Sequence, residues 1–143
     1  MIRDKLNILS NAQAITVTAA STDYLDLGTA RDLGRGQEIW AQVRVHTAFT
    51  TSDAADLTVA LQADDNTSFS SATTLLQSAS AIAAATLVAG YHILRVRIPI
   101  STPERYMRFY FTVGTGSFTA GKVDAELLLD VQADHAYAKG YTN

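Results

Sequence analysis

Residues 38–46 read EIWAQVRVH, and this stretch decides the fold class because its side chains alternate with a period of two. One side of the alternation is apolar and consists of Ile39, Ala41, Val43 and Val45. The other side consists of Trp40, Gln42, Arg44 and His46. Successive side chains of a strand point to opposite faces, so the pattern predicts a β-strand with one face in a core.

The same alternation recurs along the chain and predicts about eight strands. The other predicted strands are 15–18, 24–27, 56–63, 73–77, 93–100, 105–113 and 123–131. One apolar and one mostly polar face is typical of antiparallel sheets packed on one core. The long connections at 28–37, 47–55 and 64–72 favour jelly-roll or Greek-key wiring over a meander. We therefore expect an all-β, antiparallel jelly-roll or Greek-key sandwich.

The composition is that of a folded chain whose partners are neither nucleic acid nor membrane. The 143 residues include no Cys, and the formal net charge is -3, which provides no attractive field for nucleic acid. No apolar run approaches the roughly 20 residues of a membrane span. Eight of the eleven basic residues are Arg, the type enriched at protein interfaces, although an Arg-preferring genome explains the bias equally well.

The two chain ends differ from the middle, and we expect a jelly-roll domain at 14–131 between an N-terminal arm, 1–13, and a C-terminal tail, 132–143. The large apolar or aromatic residues of these ends are Ile2, Leu6, Ile8, Leu9, Tyr137 and Tyr141. Free termini usually fray, so such side chains indicate either arms that dock on a partner or packing against the protein's own sheet edge. If the first holds, deletion of residues 1–12 leaves the fold intact.

No arrangement of residues predicts catalysis, so we expect no enzyme activity and no cofactor. The three histidines, His46, His92 and His135, lie in different segments, and no G-x-S-x-G nucleophile motif is present.

Two acidic groups have a structural explanation beside the chemical one. The run DDNTS at 64–68 has oxygen ligands that suit calcium, but Asp and Asn at a strand end also form Asx turns, and we favour the turn. Asp124, Glu126 and Asp130 share one face of the last predicted strand. They could form a glycosidase-like carboxylate pair, but they also match the ordinary solvent face of a strand.

An Arg/Tyr patch is the strongest candidate for an interaction surface. Arg95 and Arg97 share one face of the 93–100 strand, and Tyr106, Arg108 and Tyr110 share one face of the 105–113 strand. If these strands pair as neighbours, the five side chains form one patch. Arg and Tyr are enriched in protein–protein hot spots, and the acidic net charge favours a protein partner over nucleic acid.

Several short segments resemble, in the same order, the capsid cement (decoration) proteins of short-tailed bacteriophages such as the Bordetella phage. They are Leu27-Gly28, RDLG at 31–34, LTVALQ at 57–62 with Asp64-Asp65, Phe69 and SATTL at 71–75, ATLVAG at 85–90, Arg105-Tyr106 with Arg108, FTAGKV at 118–123, and Ala136-Tyr137 with Gly140-Tyr141. These are mostly scaffold and turn residues, and their order over nearly the whole chain carries the resemblance.

The resemblance implies a jelly roll on the exterior of the capsid, assembled into virions in the host cytoplasm. It implies that the protein staples neighbouring major capsid protein subunits and self-associates as a dimer or trimer, with no catalytic residues. The alternative is a carbohydrate-binding jelly roll of a tail fibre or secreted enzyme, for which Trp40, the only Trp, is the candidate platform.

Overall fold

The computed structural model describes residues 4–31, 33, 36–99, 104–129 and 131. The strands are β1 (Ile8–Ala14), β2 (Ala19–Ala20), β3 (Leu25–Arg31), β4 (Trp40–Thr51), β5 (Asp56–Asp64), β6 (Thr73–Gln77), β7 (Ile82–Ala83), β8 (His92–Arg97), β9 (Glu104–Gly114) and β10 (Phe118–Leu128). Two short 3-10 turns, Lys5–Asn7 and Ala84–Thr86, are the helical elements of this part of the chain. No helix in the described ranges has the length and apolar character needed to cross a membrane.

The strands form two antiparallel sheets. The first sheet has the order β1-β10-β4-β8. In the second sheet β9 and β5 are central, with β2 and β3 along the free side of β9 and β6 and β7 along the free side of β5. Each sheet therefore has four strand positions, and the chain passes repeatedly from one sheet to the other. The predicted all-β jelly-roll sandwich of about eight strands is confirmed.

The core lies between the sheets because the apolar side of each alternating strand points inward. Phe109 and Phe111 of β9 and Leu57 and Leu61 of β5 are fully buried from the second sheet. They meet a layer from the first sheet that includes Val43, Val45, Val123, Ala125 and Leu127. The strand predicted at 15–18 is wrong, because residues 15–18 form a bend between β1 and β2 and only Ile15 enters the core.

The N-terminal boundary predicted at residue 13 is also wrong. β1 pairs with β10 as an outer strand of the first sheet, and Leu9 is only 1% exposed. The period of two fails there because the register shifts between Ser10 and Gln13, where one extra residue is inserted and Ala12 has a φ of 50°. The jelly roll therefore begins at residue 8, and deletion of 1–12 removes part of the sandwich.

Candidate functional site

The Arg/Tyr patch predicted from the sequence is divided between the two sheets. β8, with Arg95 and Arg97, pairs with β4 in the first sheet, whereas β9 pairs with β2, β3 and β5 in the second. The condition for a single patch, that the two strands are neighbours, is not met, because the chain crosses from the first sheet to the second between β8 and β9. Tyr106, Arg108 and Tyr110 therefore form a separate surface from the two arginines of β8.

The outer side of the second sheet carries a cluster that we call the aromatic face: Tyr24, Phe69, Tyr106, Arg108 and Tyr110. Three of its members point outward from β9 because the alternate residues Met107, Phe109 and Phe111 point inward. Tyr24 makes edge-on contacts with Tyr106 and Phe69, at ring-centroid distances of 5.7 and 6.3 Å. Such pairs stabilise a fixed arrangement of rings.

Arg108 contacts two rings of the aromatic face. Its guanidinium carbon lies 4.2 Å from the ring centroid of Phe69 and 5.1 Å from that of Tyr110. Its Nε donates a 3.0 Å hydrogen bond to Oε1 of Gln62, which is directly opposite on β5. Stacking and this hydrogen bond together fix the plane of the guanidinium.

The neighbouring Arg105 has its charge balanced within the protein. Its Nε and Nη2 donate to the two carboxylate oxygens of Asp26, at 2.8 and 2.9 Å. This bidentate pair, with a further hydrogen bond from the Gly28 backbone, lowers the pKa of Asp26 to about 2. The guanidinium also lies 4.8 Å from the ring centroid of Tyr106, so the ion pair forms one border of the aromatic face.

Phe69 reaches the aromatic face from a loop that Asp64 organises. The carboxylate of Asp64, only 2% exposed, accepts five hydrogen bonds from Asp65, Asn66 and Ser71. Burial raises the pKa of Asp64, but hydrogen bonds with Asp65 and Ser71 outweigh burial and the pKa is lowered. The predicted Asx turn is confirmed.

Tyr24 and Phe69 were not predicted as site residues. Tyr24 belongs to a different predicted strand from Tyr106, Arg108 and Tyr110, and Phe69 lies in a loop, so no local pattern connects them to β9.

The outer side of the first sheet holds a buried polar cluster where a solvent face was predicted. Asp124 and Glu126 are each 3% exposed. Glu126 accepts a 3.0 Å hydrogen bond from Nε2 of Gln42, and Asp124 accepts hydrogen bonds from the Ala12 backbone at 2.8 Å and from Arg44 at 3.2 Å. These carboxylates therefore connect β1, β4 and β10. Burial raises the pKa of Asp124, but the hydrogen bonds outweigh it and the pKa is lowered.

The remaining predicted site residues have varied environments. Leu6 is 81% exposed, Ile8 is half-buried, and Leu9 is in the core, so Leu9 is not available to a partner. Arg97 forms an exposed ion pair with Glu38 at 2.7 Å, and Arg95 is half-buried. Trp40 is half-buried on β4 of the first sheet, opposite Arg97 and Leu128. Ile2, Tyr137 and Tyr141 lie outside the described residues, as do His135 and Asp130.

Comparison with known proteins identifies the family. A sequence model of the Bbp16 family matches residues 9–127, which extend from β1 to β10 and include every residue of the aromatic face. No curated protein matches the chain. Bbp16 is the name of a Bordetella phage protein, so the match confirms the resemblance to a phage-associated family. The chain belongs to the Bbp16 family.

Proposed function

We propose that this protein is a structural virion protein that binds the outside of a tailed-phage head as a cement protein. In this proposal it staples neighbouring major capsid protein subunits and also associates with itself as a dimer or trimer. The proposed role is not enzymatic and requires no cofactor. Membership in a phage-associated family supports it. So does the aromatic face, which is the observation that carries the proposal.

The aromatic face has the composition and rigidity of a protein-binding surface. Tyr and Arg are the residue types most often found in hot spots, and three Tyr and one Arg lie together here. Tyr24 contacts the rings of Phe69 and of Tyr106, which stands on the central strand β9, so these side chains lose little conformational freedom when a partner covers them. Tyr24 remains 48% exposed and leaves area for a partner to bury.

Repetition would make modest contacts effective on a capsid. Once the protein is bound to one capsid subunit, its contacts with a second subunit and with a second copy of itself form at a high effective concentration. The overall affinity therefore exceeds that of any single contact. Rupture of the shell then requires several interfaces to open together. The proposed location is the capsid exterior of the virion, with assembly in the host cytoplasm.

The direct test adds purified protein to phage heads that lack it. We expect saturable binding with a fixed number of copies per head and a higher temperature of shell rupture. Simultaneous Tyr106→Ala and Tyr110→Ala substitutions should weaken binding strongly, whereas Thr112→Ala, at an exposed position on the same side of β9, is the matched control. Absence of binding to both expanded and unexpanded heads would refute the proposal.

The carbohydrate-binding alternative depends on a different sheet. Trp40 belongs to the first sheet, and the aromatic face belongs to the second. A glycan array with Trp40→Ala and the double Tyr variant therefore separates the two functions. Glycan binding that is lost only with Trp40→Ala would favour the alternative.

A further inference from the structure

We infer that Arg108 is the anchor of a carboxylate-binding site, and that its ligand is an acidic side chain of the protein that covers the aromatic face. The inference rests on the proposed function for the identity of that partner, a capsid subunit. The carboxylate chemistry of the site follows from the geometry around Arg108 alone.

Arg108 presents an unused donor edge. Its Nε donates to Gln62, and its guanidinium lies over the rings of Phe69 and Tyr110. Among the residues that the structure describes, no acceptor is hydrogen-bonded to its Nη atoms. The two terminal nitrogens are thus held in a fixed plane, and the N–H groups along that edge match the two oxygens of a carboxylate.

The acidic groups nearest to Arg108 in the sheet are occupied by other donors. Asp26 is bound in bidentate fashion by Arg105. Asp64 is buried, and its oxygens accept five hydrogen bonds from its own loop. The positive charge of Arg108 is therefore not balanced by either of them, unlike that of Arg105. A partner that supplies a carboxylate would complete the pair and would not displace an existing one.

A protein carboxylate fits this site better than a nucleic-acid phosphate. The net charge of the whole chain is -3, and the other arginine that the structure describes at the aromatic face, Arg105, is already paired with Asp26. The rings beside it suit a protein surface that buries apolar area around one ion pair, as hot spots do. Nucleic-acid binding is retained as an outcome of the test.

Binding to heads that lack the protein tests the site in the context of the proposed function. We expect Arg108→Gln to weaken binding on the order of 10- to 100-fold and Arg108→Lys to recover only part of it. Lys122→Gln, which removes an exposed cation on β10 of the first sheet, is the control and should change binding little. Circular dichroism and thermal unfolding must show each variant folded. Equal binding by wild type and Arg108→Gln would overturn the inference while leaving the proposed function in place.

Chemical neutralisation of the heads identifies the partner group. When head carboxylates are converted to amides, wild-type binding should fall by about the factor lost in Arg108→Gln, and Arg108→Gln should lose little more. Equal proportional losses by both proteins would show that the relevant carboxylates act elsewhere and would overturn the inference.

A probe without heads separates this inference from the proposed function. In an NMR spectrum of the arginine Nε–H groups, addition of poly-L-glutamate should shift the signal of Arg108 and leave the signal of Arg105 unchanged. Such a shift in a protein that does not bind heads would uphold the carboxylate site and refute only the cement role. No shift with poly-L-glutamate, or a stronger response to double-stranded DNA, would overturn the inference.

Discussion

The backbone N–H of Ala12 donates a 2.8 Å hydrogen bond to Oδ1 of Asp124, and this contact joins the first strand of the jelly roll to the last. Ala12 stands in the bulge of β1, where its N–H has no place in the regular ladder with β10. The carboxylate supplies the missing acceptor. It also binds Arg44 at 3.2 Å through Oδ2, so one buried side chain holds three strands together.

The first prediction follows from this contact. Asp124→Ala should lower the free energy of unfolding by about 2–4 kcal/mol, because it leaves the Ala12 N–H and Arg44 without their buried acceptor. Asp124→Asn retains one acceptor oxygen and should lose less. Urea unfolding measures both. Glu38→Gln, which breaks the exposed ion pair with Arg97, is the control and should change the free energy by less than about 1 kcal/mol.

The second prediction concerns acid stability. The ordinary pKa of Asp26 is 3.8 and in the folded protein it is about 2, so the group binds protons less readily when folded. Its contribution to stability is complete above the unfolded pKa and is lost as the pH falls from about 4 to 2. The melting temperature of the wild type should decrease across this interval, and that of Asp26→Asn should decrease less. Identical slopes for the two proteins would contradict the assignment.

The third prediction uses the close approach of Phe49 to Gly121. A Cβ at Gly121 would overlap the ring of Phe49, and the φ of Gly121, 151°, is one that side chains rarely adopt. Gly121→Ala should therefore cost about 2–4 kcal/mol of unfolding free energy. Phe49→Leu in the same chain should recover part of the overlap cost. A double variant whose loss equals the sum of the two single losses would show that the ring is not the cause.

The fourth prediction concerns the N-terminus. Removal of residues 2–7 should leave a folded jelly roll, whereas removal of residues 2–13 should prevent stable folding because it deletes most of β1 with Leu9. Leu9→Ala should cost about 2–5 kcal/mol, and Leu6→Ala should cost close to nothing because Leu6 is exposed. Thermal unfolding of the four proteins checks this order. A stable protein without residues 2–13 would show that β1 is dispensable.

The alternation of apolar and polar residues predicted most of the strands because it is a local property. Residues 40–46, 56–63 and 105–113 lie in strands whose buried apolar members alternate toward the core, and residues 73–77 form the strand β6. The alternation failed at β1, where the bulge at Ala12 interrupts the period, and the apolar residues there were assigned to an arm. A bulge is defined by the pairing of two strands. The partner strand β10 begins more than a hundred residues later, so the inserted residue cannot be recognised from the local sequence of β1.

The candidate site was predicted only in part, because alternation connects residues within one strand and carries no information on which strands and loops meet. That Tyr106, Arg108 and Tyr110 share one side of a strand follows from their spacing by two residues. That Phe69 and Tyr24 join them, and that Arg95 and Arg97 do not, depends on which strands pair and on how the 64–72 loop folds.

By itself, the sequence determined that the chain is an all-β sandwich and which side chains of the regular strands β4, β5 and β9 face the core. Only the tertiary structure decided which strands are neighbours, which carboxylates are buried, and that Arg105 is paired within the protein while Arg108 lacks a carboxylate among the described residues. The reason is the range of the interactions. Side-chain alternation depends on residues two apart, whereas Asp26 with Arg105 and Ala12 with Asp124 join residues 79 and 112 positions apart.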